Sequence, residues 1–126
     1  MKYRLHHFHL LCSNLEEMIG FFTETLDAKL VARRKFGTAD GATLDLDGTF
    51  INLRVAREDE EIVGDSSQAH YGYHHLGLEV DNVDEIYEEL KGKGFSFTIL
   101  PTDVEDVRIA FFNGPDNITV EVLSKR

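Results

Sequence analysis

Cysteine is almost absent: Cys12 is the only one in 126 residues. One cysteine cannot close an internal disulfide, so a stapled extracellular scaffold is excluded and a reducing compartment is expected. Basic residues are few, 13 Lys and Arg against 23 Asp and Glu, for a formal net charge of −10. A phosphate backbone calls for a basic surface, so no nucleic-acid partner is expected. No apolar run approaches the roughly 18 residues of a membrane span, so no membrane partner is expected either. Residues 1–11 carry three histidines where a signal peptide would be apolar. A cytoplasmic location is the expectation. The chain also lacks a glycine-rich phosphate loop, a CxxC pair and a serine-nucleophile motif, which argues against nucleotide chemistry and a covalent acyl-enzyme. What remains is an ordinary globular composition, 42% apolar, long enough for one compact domain with a core.

An internal repeat organises that domain. Residues 5–15 read LHHFHLLCSNL and residues 73–83 read YHHLGLEVDNV. Each begins with an apolar or aromatic residue and two histidines, alternates apolar positions, and reaches Asn and a branched apolar residue. His7 precedes Asn14 by seven positions, as His75 precedes Asn82, and the offset is 68 (75 − 7). Leu15, Met18, Ile19 and Phe22 then follow at helical spacing, matched by Val83, Ile86, Tyr87 and Leu90. Asn14 and Asn82, or Ser13 and Asp81 beside them, are the N-cap candidates, with acids in each first turn. Gly92 and Gly94 are expected to end the second helix.

Three strand-like runs follow each helix: 29–36, 42–46 and 50–55, then 95–100, 107–112 and 118–123. Gly37, Gly41, Gly48, Pro101 and the 113–117 turn punctuate them. Each half is therefore βαβββ, module one over about 4–57 and module two over 72–126. The acidic, non-periodic stretch 58–71 is the linker. The expected class is α+β, two modules forming one cupped eight-stranded mixed sheet with helices on the convex face and a pocket in the cup.

All six histidines fall in two clusters. Side chains alternate along a strand. His6, Phe8, Leu10 and Cys12 should pack on the first helix, leaving His7, His9 and Leu11 on the cup side. Leu76, Leu78 and Val80 likewise send His75 and Gly77 to the cup. In the last run Ile118, Val120 and Val122 are wholly apolar and must be core, so Glu121 points the other way. Two repeat-related imidazoles and a carboxylate suit a divalent transition metal. The competing readings are hydrogen-bonded strand histidines, and a Glu121 salt bridge to Arg54 or Arg108.

The segment FFNGPDNITVEV (111–122) and the stretch HHLGLEVDNVDEIYEELKGKG (74–94) resemble the last hairpin and the second-module opening of the vicinal oxygen chelate superfamily of glyoxalases, bleomycin-resistance proteins and dioxygenases. The resemblance covers nearly the whole chain. It implies metal ligands from the first and last strands of both modules: His7, Asn52, His75 and Glu121. Asn52 stands where Glu or Gln is usual, and Asn52 to Glu121 is 69 residues (121 − 52), one more than the histidine offset. His9 shares the face of His7 and reads as a substrate contact, a ligand or an acid/base group. Arg54, two beyond Asn52, suits an anionic substrate or is a solvated rim residue. Gly77 leaves space beside the metal.

The resemblance implies a metal-dependent lyase, isomerase or epimerase of the glyoxalase type, holding Zn, Ni, Co, Mn or Fe(II). Its small-molecule substrate would be oxygen-bearing and anionic. Glu121, His9 or Asp45 would be the base. Rivals are an extradiol dioxygenase, a fosfomycin-type thiol transferase, against which Phe111 counts where tyrosine is usual, and a metal-free binding protein of the bleomycin-resistance type. A homodimer is also implied.

Overall fold

Two βαβββ modules make an α+β protein. A computed structural model describes residues 2–126, and the chain divides into two compact units after Val63. The first holds β1 (His7–Leu11), α1 (Leu15–Gly20), β2 (Lys29–Phe36), β3 (Ala39–Leu46) and β4 (Thr49–Arg54). The second holds β5 (Leu76–Glu79), α2 (Val83–Gly92), β6 (Phe97–Val104), β7 (Val107–Asn113) and β8 (Thr119–Lys125). Each unit has one four-stranded sheet, ordered β1-β4-β3-β2 and β5-β8-β7-β6. In both, the first strand pairs in parallel with the last, and the other pairings are antiparallel. The helix between first and second strands supplies the crossover that parallel pairing requires. Among the described residues no helix is long and apolar enough to cross a membrane.

Asn14 and Asn82 are the N-caps, each accepting from the backbone N–H three residues on, at 3.0 and 3.1 Å. Past Gly20 the first helix widens into a π-helical turn, Phe21–Thr25. That turn buries Phe21 beside Phe22, a position the 3.6-residue spacing did not select. Met18, Phe22, Leu44 and Leu53 are fully enclosed in the first unit, as are Val83, Phe112 and Val120 in the second. Val120 and Val122 are buried while Thr119 and Glu121, which alternate with them, are only partly covered, so the last strand alternates as its sequence predicts. An arginine of each sheet also grips a first-turn acid of its helix, Arg33 to Glu16 and Arg108 to Asp84.

Several boundaries differ from expectation. The run expected to stop before Pro101 continues through it to Val104. Strand β6 lies at the sheet edge, and its register shifts between Ile99 and Thr102; an edge bulge is where a strand tolerates a residue with no N–H to donate. Gly41 does not separate strands but lies inside β3, where a Cβ would stand 2.4 Å from the Leu53 carbonyl oxygen and 2.6 Å from the Phe36 ring. Phe8, expected in the core, is 45% exposed, because β1 is an edge strand. The last strand of the first module starts at Thr49, and that of the second runs from Thr119 to Lys125.

The one-residue difference in offset has a location. Asp45 pairs with Phe50 and Asn113 with Thr119. The first hairpin thus spans four residues (46–49) and the second five (114–118). The extra residue sits in the Pro115–Asn117 turn, where Asp116 and Asn117 take left-handed φ of 54° and 56°, a region these two side-chain types tolerate.

Glycine substitutions should separate by sign. Gly41→Ala is expected to cost about 1–3 kcal/mol by overpacking. Gly20→Ala, helical at φ −61° with its nearest neighbour 3.9 Å away, is expected to add about 0.5–1 kcal/mol. Urea denaturation of both variants checks this; equal destabilisation would contradict the close approach at Gly41.

Candidate metal centre

Parallel pairing places Gly77 opposite Glu121 across β5 and β8. His75, just before β5, then brings its Nε2 to 3.2 Å from Glu121 Oε1. Two ligands at about 2.0–2.2 Å from one ion, at angles between square and tetrahedral, stand about 2.9–3.4 Å apart. The pair therefore fits two neighbouring positions of one coordination shell. Without an ion the same distance serves an N–H donated to the carboxylate. The pair is partly enclosed, with side-chain exposures of 31% and 18%. The Phe111 ring packs edge-on against His75 at 4.9 Å. A Cβ on Gly77 would sit 3.6 Å from Glu121 Oε1, so anything larger than alanine presses on the carboxylate. The anticipated alternatives for Glu121 are taken elsewhere: Arg54 pairs with Glu60 and Arg108 with Asp84 and Asp103.

The first unit places His9 opposite Asn52 in the equivalent β1–β4 register. Asn52 is buried, and its Oδ1 accepts from Thr43 Oγ1 at 2.7 Å. That amide oxygen is already engaged, which suits a structural role better than a ligand's. His7 lies beside His6, Nδ1 to Nδ1 at 2.9 Å. His9 packs on the Phe36 ring at 4.8 Å, the same ring that Gly41 leaves room for. Burial first, then the nearby charges of Arg54, His7 and Arg57, push the His9 pKa below its ordinary 6.5. Its ring is held neutral at physiological pH. Asp45 spends a carboxylate oxygen on the Gly48 N–H at 2.8 Å.

Arg54, read as a contact for an anionic substrate or as a solvated rim residue, is not solvated at a rim. Its fork meets the Glu60 carboxylate at 2.6 and 2.9 Å, with only 12% of the side chain exposed. The Arg57 backbone N–H donates to the same carboxylate at 2.7 Å. Glu60 was missed because it stands in an acidic stretch with no periodicity, where nothing distinguishes it from Glu58 or Glu61. Farther along, Asp65 accepts from Asn117 Nδ2 at 2.8 Å and from Ser67, tying residues 65–67 to the β7–β8 turn. There a cavity of about 410 Å³ is lined by Ser66, His70, His74, Thr98, Asn113 and Thr119 among others. Its lining is hydroxyl, amide and imidazole, and Thr119 shares the strand face of Glu121.

Among the described residues no three His, Cys, Asp or Glu side chains gather as a metal cluster. His75 and Glu121 are brought together; His7, His9, Asn52 and Arg54 belong to the other unit.

Comparison with known proteins agrees with the repeat. The profile of the Glyoxalase/Bleomycin resistance protein/Dioxygenase superfamily matches residues 4–122. A lactoylglutathione lyase of Schizosaccharomyces pombe is 25% identical over 98% of this chain and 48% of its own length. The chain thus spans about half of that curated relative. Among solved structures, a glyoxylase/bleomycin resistance protein/dioxygenase domain from Frankia sp. EAN1pec aligns with TM-score 0.77 and 25% identity, over 100% of this chain and 93% of that one. A fosfomycin resistance protein, FosX, from Listeria monocytogenes, complexed with Mn(II) and sulfate, aligns at 0.74 and 18%, over 100% and 95%. TnmS3, an antibiotic binding protein from Streptomyces sp. CB03234, aligns at 0.73 and 18%, over 98% and 97%.

Glu60 carries a pH prediction. Its bonds to Arg54 and then the Arg57 amide hold its pKa at about 2, against an ordinary 4.5. A depressed carboxyl pKa contributes stability that is full above about 4.5 and lost as pH falls toward about 2. Glu60→Gln should therefore lower the urea midpoint at pH 7, with the gap to wild type closing through that window. A gap independent of pH would show that the ion pair contributes nothing.

Proposed function

Because the chain belongs to the glyoxalase/bleomycin resistance protein/dioxygenase superfamily, we propose that it is a divalent-metal-dependent enzyme of the glyoxalase type, a lyase, isomerase or epimerase acting on a small oxygen-bearing anion. The observation that carries this reading is the His75–Glu121 pair, spaced as two ligands of one ion and backed by Phe111 and Gly77. His7 is proposed as the third ligand, with Asn52 at most a weak fourth. Zn, Ni, Co, Mn and Fe(II) all suit two imidazoles and a carboxylate. A divalent ion there supplies Lewis acidity, polarising substrate oxygens and acidifying an adjacent C–H. Mn(II) in the fosfomycin resistance protein of the same fold supports a divalent ion.

The chain's own groups then divide the work. His9, held neutral, takes up the proton, with Glu121 as the other candidate base. Gly77 leaves room for the substrate. Arg54 receives an anionic group only if that group competes with Glu60 for the guanidinium, so Arg54→Ala should weaken substrate binding and leave metal content unchanged.

His7→Ala, His75→Ala and Glu121→Ala should each abolish tight metal binding while the fold survives, and Asn52→Ala should weaken it far less. Elemental analysis of protein purified without added metal checks this. Full metal content in any of the first three removes that residue from the site. Iron in the wild type would move the reading to a dioxygenase, and no metal at all to a binding protein.

A homodimer is proposed as well. Leu5, Phe8 and Leu11, in and beside edge strand β1, are 67%, 45% and 43% exposed, and a second copy would cover them. Light scattering should give twice the 14.3 kDa chain mass; a monomer at high concentration refutes it.

A further inference from the structure

Both ligand histidines follow another histidine, and in both modules the two rings meet in the same way. His6 Nδ1 lies 2.9 Å from His7 Nδ1, and His74 Nδ1 lies 2.8 Å from His75 Nδ1. The ring planes cross at 85° and 83°. Neighbours along a regular strand point to opposite faces. Here the first histidine of each pair precedes its strand, or its first paired residue, and can turn toward the second. A hydrogen bond between two neutral imidazoles through Nδ1 holds one proton, so one ring is the donor and the other the acceptor. The tautomer of either ring then fixes that of the other.

We propose that His74 is a positioning residue for the metal centre, and that metal loading reverses the tautomers of the His74–His75 pair. The proposal rests on the metal reading above. A carboxylate only accepts, so in the metal-free protein His75 donates Nε2–H to Glu121 across 3.2 Å. His75 Nδ1 is then the acceptor and His74 Nδ1 the donor. Metal ligation through Nε2 needs that nitrogen's lone pair, so the proton must sit on His75 Nδ1, which donates to His74 Nδ1. The protons balance. The Nε2 proton of His75 leaves to solvent, the Nδ1 proton of His74 passes to His75, and His74 takes one proton from solvent at Nε2. His74 thereby gives the ligand-competent tautomer of His75 the acceptor it needs, the part a carbonyl or carboxylate usually plays behind a metal-bound imidazole.

His6 stands to His7 as His74 stands to His75. No carboxylate occupies the position equivalent to Glu121, and Asn52 there is engaged by Thr43. No carboxylate there fixes the tautomer of the N-terminal pair, so metal loading requires no reversal of it.

Long-range ¹H–¹⁵N correlation of histidine-labelled protein reads the tautomers directly, well above the ordinary imidazole titration range. His75 should be Nε2–H and His74 Nδ1–H without metal, each changing to the other form on adding zinc. Competition titration should give His74→Phe a zinc Kd about 10–100-fold weaker than wild type. His74→Asn, whose amide oxygen can accept from His75 Nδ1–H, should recover most of the loss. His74 is exposed, so both variants should fold. Wild type that takes up no zinc ends the metal reading and this proposal with it. Wild type that binds zinc while His74→Phe binds equally well, or while His74 keeps its tautomer, ends this proposal alone.

Discussion

Parallel pairing between the first and last strand of each module is the constraint from which the rest follows. It sets His9 against Asn52 and Gly77 against Glu121, and so decides which side chains meet. It also forces the helix: two parallel neighbours need a crossover, and the helix that provides it must cover one sheet face. The apolar residues of the last strand, Ile51 and Leu53 or Val120 and Val122, meet that helix. Strand alternation then turns Asn52 and Glu121 to the opposite face. A slip of one residue would bury Glu121 against the helix and expose two valines. The apolar face thus locks the register, and the register locks the site.

Much of this was legible because it rests on period and on short-range chemistry. The helix stripes, both Asn caps and the outward side of Glu121 needed only spacing and polarity. The strand limits failed where a punctuating residue had another use. Pro101 reads as a break, yet an edge strand with a bulge needs no N–H donor at that position and accepts it. Gly41 reads as a turn, yet it is the place where a neighbouring carbonyl and the Phe36 ring come too close for any side chain. Both exceptions depend on neighbours distant in sequence, which composition and period do not report.

For the candidate site, parity could name residues but not their company. Parity named His75 and Glu121 without showing which partner Glu121 would have; the three-dimensional neighbours decide for histidine over Arg54 and Arg108. The partner of Arg54 was not legible because its carboxylate lies six residues on, in a stretch whose acids look interchangeable. One of them, Glu60, has both a guanidinium fork and a backbone N–H to accept. Its depressed pKa follows from those two donors and from no feature of the acidic run.

The two modules put different chemistry on one frame, and the difference lies in who satisfies the polar group on the last strand. Thr43 and Phe111 are equivalent (111 − 43 = 68), and each pairs with the polar residue of its module, Thr43 with Asn52 and Phe111 with Glu121. Thr43 donates to Asn52, and the pair is closed: a buried amide with its oxygen satisfied has little reason to leave it for an ion. Phenylalanine can donate nothing. Glu121 therefore keeps an ionisable carboxylate, four-fifths covered, whose hydrogen-bond partner is an imidazole that is not obliged to carry charge. Covering a carboxylate without a cation is costly, and the divalent ion proposed above would remove that cost while using the geometry already present. At the neighbouring equivalent position His9 faces Asn52 and Gly77 faces Glu121. The module with the closed amide thus carries a second imidazole, and the module with the open carboxylate carries the space.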